Sequence, residues 1–170
     1  LYLKIWTEVV YNKIDYKITD ISETLKSKLK WVPYFKWWDF RKWFWNQVYI
    51  MNWENDWKEI KDYAVKRNNW KHWSRYIQNL KVMFKESVSC SAISSSTNSY
   101  RYYQEWWMYD VNFRSFFIPD KNIQLYFLTF LNSKVSIEIW KNLWETLALN
   151  SNDLNRLPII FPNSQGIKNK

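Results

Sequence analysis

The chain has 170 residues, a single glycine, 14 tryptophans and a net charge of +9, with 25 Lys and Arg against 16 Asp and Glu. That length suits one domain with a core of its own. A lone Cys90 and a lone His72 exclude an internal disulfide, a multi-cysteine zinc site and any site built on two histidines.

No run of about 18 apolar residues is present, so no transmembrane helix is expected. The cation surplus points to a polyanionic partner such as nucleic acid. Abundant Lys, Asn, Ile, Tyr and Phe would also follow from an AT-rich genome, so charge alone supports DNA binding only modestly. Leu1-Tyr2-Leu3-Lys4 is no signal peptide and lacks an initiator Met, which leads to the expectation of a cytoplasmic piece of a longer chain.

Residues 1–30 mix apolar and charged positions and read as the end of a preceding region or a linker, with a short amphipathic helix at Ile21–Leu29. Pro33 disfavours helix before it, so Trp31–Phe35 is extended. From Phe40 to Trp53 the imperfect alternation predicts two short strands around a turn at Trp45-Asn46. Asp56 to Lys66 reads as a helix with Ile60, Tyr63 and Ala64 on one face. Residues 67–79 read as a polar loop. Val88–Ile93 reads as a strand, followed by a serine-rich loop from Ser94 to Ser99. Tyr100–Tyr103 and Trp107–Val111 read as strands around a turn at Glu105-Trp106. Apolar residues spaced by three and four predict one long helix from Asn122 to Leu143, started by Pro119-Asp120. A closing strand is expected near Leu157, and residues 163–170 form a polar tail. The fold class is therefore α+β.

At about 7% of an ordinary chain, roughly a dozen glycines would be expected here. Several tryptophans stand where turn chemistry calls for glycine: Trp57 after Asn55-Asp56, Trp70 after Asn68-Asn69, Trp37-Trp38 between Lys36 and Asp39, Trp45 before Asn46, and Trp106 after Glu105. Some genetic codes read UGA as tryptophan and others as glycine. This subset is what a UGA glycine codon translated as tryptophan would produce, with Trp144 a weaker member.

Five segments in order resemble one family. Trp31 to Asn46 is similar to W-x-P-Y-x-K-G-G-x-F-R-K-W-Y-G-N, and Tyr49 to Trp57 to Y-V-V-N-W-E-N-D-G. Ser94-Ser95 through Arg101 to Val111 is similar to S-S…R-Y-x-x-x-G-F-x-F-D-V. Leu128 to Lys134 resembles L-x-x-L-L-N-S-K with one residue fewer, and Asp153 to Ile159 resembles D-I-x-x-L-P-I. These patterns resemble the C-terminal target-recognition region of N6-adenine-specific DNA methyltransferases of the BREX phage-defence and restriction–modification type. The resemblance runs over residues 31–162, and it has glycine at the positions of Trp37, Trp38, Trp45, Trp57 and Trp106 while keeping tryptophan at those of Trp31, Trp43 and Trp53.

The resemblance implies a DNA-binding domain over residues 31–162 acting in cis with an upstream methyltransferase domain. It also implies double-stranded DNA and other defence-system subunits as partners, with S-adenosylmethionine serving the parent enzyme. No Pro-Pro tetrapeptide for adenine chemistry and no strand–loop–helix with G-x-G occurs, so no catalytic residue, metal or cofactor is assigned to this piece. Lys36, Arg41 and Lys42 are the candidate phosphate contacts, with ordinary solvated charge the alternative for Lys36 and Lys42. Asn46, Ser94, Ser95 and Asn98 are candidates to approach base edges. Arg101 could meet a guanine edge, although its place between tyrosines in a strand favours a structural role. Two alternatives stay open. Asp39 with Asp56-Trp57-Lys58 loosely fits a magnesium nuclease, and exposed aromatics with basic residues fit a single-strand binder.

Overall fold

The computed structural model describes residues 2–36, 42–44, 48–75, 77–92, 99–109, 113–143 and 156–160. It is an α+β arrangement of two small sheets and three helices among these residues.

The first sheet contains β1 (Leu3–Ile5), β2 (Trp31–Phe35) and β3 (Tyr49–Asn52). β3 lies between the other two and pairs antiparallel with both, Leu3 opposite Met51 and Val32 opposite Met51. The segment 1–30, expected as a linker, thus supplies an edge strand, and Ile14 and Ile18 are buried. The helix expected at Ile21–Leu29 is a shorter 3₁₀ turn, Ile21–Leu25, whose Asp20 accepts from the Ser22 amide at 2.9 Å. Trp31–Phe35 is extended as expected.

Helix α1 (Glu54–Arg67) follows β3 and buries Ile60 and Ala64. Tyr63, expected on the same face, is exposed and lies 5.1 Å from the Tyr2 ring. The first turn is left-handed at Asn55, Asp56 and Trp57 (φ 55°, 55° and 49°). The last turn closes as a Schellman motif: Asn69 is left-handed at φ 51°, and the Trp70 amide donates to the Val65 carbonyl at 2.9 Å.

The second sheet has β4 (Ser87–Ser91) at its centre, with β5 (Tyr100–Tyr103) on one side; β6 (Met108–Tyr109) departs to pair parallel with β2 in the first sheet, and β7 (Phe113–Phe116) returns to the other side of β4. The expected turn at Glu105-Trp106 joins β5 to β6, with Trp106 at φ 63°. Small hydroxyls on this sheet form a buried chain. Ser89 Oγ is 2.7 Å from Ser115 Oγ and 3.1 Å from Ser87 Oγ, and Ser87 Oγ is 3.0 Å from Tyr109 Oη.

Helices α2 (Lys121–Leu131) and α3 (Lys134–Leu143) cover this sheet. Asp120 caps α2 by accepting from the Asn122 and Ile123 amides, as Pro119-Asp120 suggested. The single long helix is corrected to two. Ser133 Oγ accepts from the Ser136 amide at 3.1 Å and starts α3 afresh, a capping signal that apolar periodicity does not register. Residues 156–160 form no strand, so the closing strand near Leu157 is also corrected; Leu157 is instead a buried plug against Val88, Leu131 and Trp140.

Two apolar centres result. One gathers Val32, Met51, Trp53, Trp57 and Ile60 beneath the first sheet, and the other gathers Val88, Tyr100, Phe127, Leu128 and Leu131 beneath α2. Phe35, Tyr103, Trp107 and Phe113 join the two sheets. The expected turn at Trp45-Asn46, together with Trp37, Trp38, Asp39, Ile93, Val111, Trp144 and the tail at 163–170, lies outside the described residues.

Candidate nucleic-acid interface

β5 is the element around which the sequence candidates gather. Its second residue, Arg101, bridges to Trp43. The Trp43 amide donates to the Tyr100 carbonyl at 3.1 Å, and the Tyr102 amide donates to the Trp43 carbonyl at 2.9 Å. This pairing holds Lys42-Trp43-Phe44 against the sheet. Trp43 is 45% exposed and Phe44 62% exposed, with the Phe44 ring edge-on to Tyr102 at 6.1 Å.

Lys42 is half-buried and donates to the Asn132 carbonyl at 3.2 Å, at the C-terminal end of α2, where a cation complements the helix dipole. Asn132 is the residue that sequence reading missed. Its side-chain amide donates to the Tyr100 carbonyl at 2.8 Å and to the Leu128 carbonyl at 3.2 Å. Its Oδ1 accepts from the Tyr100 amide at 3.2 Å. The side chain thus pairs with Tyr100 on both backbone groups, as a neighbouring strand would. The available signal was an amide residue followed by serine inside an apolar helical pattern.

Arg101 is 1% exposed, and its Nη2 donates to Ser99 Oγ at 2.7 Å. Burial pulls its guanidinium below the usual value, while the nearby Tyr103 hydroxyl pulls the other way. A guanine edge would reach a side chain so enclosed only by opening this end of the sheet. Lys36 is exposed at the end of β2, with its ammonium 5.2 Å from the centre of the Tyr49 ring. Lys36 therefore stands with the first sheet and Lys42 with the second. Arg41, Asn46, Ser94, Ser95 and Asn98 lie outside the described residues.

Burial pushes the Cys90 thiol up to about 12, so it is no nucleophile at neutral pH. Burial also raises the Tyr103 and Tyr109 hydroxyls. His72 is exposed, with Nδ1 2.8 Å from Ser74 Oγ. Asp56, half of the proposed magnesium pair, is ion-paired with Lys61, and Asp39 lies outside the described residues. Among the described residues no group of three or more His, Cys, Asp or Glu is placed to hold a metal ion. A cleft of about 600 Å³ is lined by Thr19, Lys85, Glu86, Glu105, Pro119 and Lys121, but both lysines are already paired, Lys85 with Asp20 and Lys121 with Glu86. Among the described residues no helix is long and apolar enough to cross a membrane.

No family model matches the chain. It is 31% identical over 159 residues to the adenine-specific methyltransferase PglX of Lacticaseibacillus casei (strain Zhang), a match that covers 94% of this chain and 13% of that protein. It is 27% identical over 165 residues to the adenine-specific methyltransferase BrxX of Escherichia coli O9:H4 (strain HS), covering 96% of this chain and 12% of that protein. The chain is thus homologous, over nearly all of its own length, to a short stretch of much longer adenine-specific methyltransferases.

Proposed function

We propose that this chain is the DNA target-recognition segment of an S-adenosylmethionine-dependent adenine-N6 DNA methyltransferase of a phage-defence or restriction–modification system. It binds duplex DNA in cis with an upstream methyltransferase domain, in the cytoplasm and alongside other defence subunits, and performs no chemistry alone. The observation that carries this reading is the match of nearly the whole chain to a small part of two adenine-specific methyltransferases. Support comes from the +9 charge and from the lack of a Pro-Pro tetrapeptide that could polarise an adenine amine. In this reading residues 31–162 carry recognition, steadied by the strand from the first 30 residues. Of the sequence candidates, Lys36 is exposed and set to meet a phosphate, and Lys42 orients the Trp43-Phe44 edge. Arg41, Asn46, Ser94, Ser95 and Asn98 remain sequence-level candidates.

The test is an exchange of segments. Residues 31–162 are replaced, within the parent enzyme, by the matching stretch of a relative that modifies a different site, and genomic methyladenine is mapped. The modified sequence is expected to follow the segment. A site that stays with the catalytic part sinks the proposal.

We also infer that Trp70 and Trp106 stand for glycine in the organism's own protein. Their left-handed backbone supports it, at φ 62° and 63°. Trp43, which the family resemblance keeps as tryptophan, is left-handed as well at φ 72°, so backbone sign alone does not define the subset.

A further inference from the structure

The longest stretch of the chain without an acidic residue runs from Tyr63 to Lys85. It contains Lys66, Arg67, Lys71, His72, Arg75, Lys81 and Lys85 and no Asp or Glu. Most of it is the connection between α1 and β4, residues 68–86. This connection is fixed to the first core from within. Trp73 meets the Trp57 ring edge-on at 4.8 Å, Trp73, Ile77 and Leu80 pack on the core, and Met83 and Phe84 are buried. Backbone bonds tie each short turn, from the Lys71 amide to the Asn68 carbonyl, the Arg75 amide to the His72 carbonyl and the Val82 amide to the Asn79 carbonyl. Trp73, Ile77, Leu80, Met83 and Phe84 face the core, and Lys66, Arg67, Lys71, Arg75 and Lys81 are left exposed together with Trp70.

Some of these cations already have a task. Lys66 and Arg67 complement the dipole at the end of α1, and Arg67 donates to Tyr63 Oη at 3.1 Å. Lys85 is paired with Asp20 at 2.9 Å. Lys71, Arg75 and Lys81 have none, because among the described residues they make no ion pair. The N-terminal segment differs. Its exposed Lys13, Lys17, Lys26 and Lys28 are interspersed with Asp15, Asp20 and Glu23, which cancel their field locally.

We propose that the α1–β4 connection is a docking surface for the phosphate backbone of duplex DNA, with Lys71, Arg75 and Lys81 as its contacts. This rests on the duplex-binding reading above and adds a surface to it. Three cations held on an anchored loop with no acid among them need little ordering on binding. They meet phosphates irrespective of base sequence, so they supply affinity and register while base reading falls to other residues.

The test uses the whole chain and a fluorescent mixed-sequence duplex of about 20 base pairs, long enough for many phosphate contacts. Kd is measured across a series of salt concentrations. The triple variant Lys71→Gln, Arg75→Gln, Lys81→Gln is compared with Lys13→Gln, Lys17→Gln, Lys28→Gln, which removes the same charge from another exposed surface. Each lost phosphate contact lowers the slope of log K against log salt by about 0.9, so the first variant is expected to lose about 2–3 and the control less than 1. Thermal unfolding of both variants is expected to match the parent chain, since every altered side chain is exposed. If the parent chain binds duplex and the two variants shift its slope equally, this surface is refuted while duplex binding stands. If the parent chain shows no salt-dependent duplex binding, both proposals fall.

Discussion

An L-residue with a bulky side chain loses roughly 1–2 kcal/mol in left-handed backbone, and Trp70 and Trp106 both bear that cost. Trp70 is 75% exposed, so its indole recovers little by burial. Glycine relieves the strain but loses more freedom on folding, leaving a net gain of about 0.5–1 kcal/mol for Trp70→Gly. Trp106 is half-buried against the cluster of Phe35, Tyr103, Trp107 and Phe113, so the packing its indole gives up offsets the relief. Urea denaturation is expected to show Trp70→Gly with a raised midpoint and an unchanged m-value. Trp57 behaves differently. It is left-handed too, yet only 4% exposed and stacked on Trp53 at 5.1 Å with 9° between planes. Emptying that space costs about 3–5 kcal/mol, more than the strain returned, so Trp57→Gly is expected to destabilise by about 2 kcal/mol. UGG codons at Trp70 and Trp106 in the gene would refute glycine at those two positions whatever the stability data show. The turn chemistry of Asn68-Asn69-Trp70 was legible because Asn tolerates the left-handed region and ends a helix locally. The burial of Trp57 was not, since it depends on Trp73 arriving from the next connection and on Phe84 closing over its stacked partner Trp53.

Among the elements, α1, β2 and β5 could be read from the chain because periodicity and Pro33 act over a few residues. β1 and β7 could not. Leu3–Ile5 and Phe113–Phe116 become strands by pairing with β3 and β4, which are remote in sequence. The break between α2 and α3 was hidden for a related reason. Apolar spacing runs on through Leu131, Val135 and Ile139, while Asn132 interrupts it by bonding to distant Tyr100 and Ser133 by capping the next turn. Arg101 shows the same limit at the candidate interface: its strand was legible, but its burial behind Ser99 and Trp43 was not. Asn132→Ala is expected to leave the Tyr100 amide without its partner and to destabilise by about 2–3 kcal/mol, the cost of buried groups left unpaired. Hydrogen exchange offers the check. The Tyr100 amide is expected to exchange faster in the variant, with the amides of β2 little changed. Equal loss of protection in both sheets would show a global rather than a local effect.

At the scale of the whole molecule, Phe35 bridges the two apolar centres. Phe35 lies 4.0 Å from the Tyr103 ring, 4.4 Å from Trp107 and 6.4 Å from Phe113, so one side chain of the first sheet touches the strands and turn of the second. Phe35→Ala is expected to cost about 3–5 kcal/mol and to separate the unfolding curves followed by far-UV circular dichroism and by tryptophan fluorescence. Ile60→Val, confined to the first centre, is expected to cost about 0.5–1.5 kcal/mol and to leave the curves coincident. Coincident curves in both variants would show that the centres are coupled by more than this bridge.

The Asn132 side chain has a mechanical consequence. It grips a strand with one amide while its own carbonyl takes the Lys42 ammonium, and that same strand carries Trp43. The helical pair and the aromatic lip are therefore tied through one residue, its side chain holding Tyr100 and its carbonyl holding Lys42. A substitution at this knot is felt on both sides of it at once.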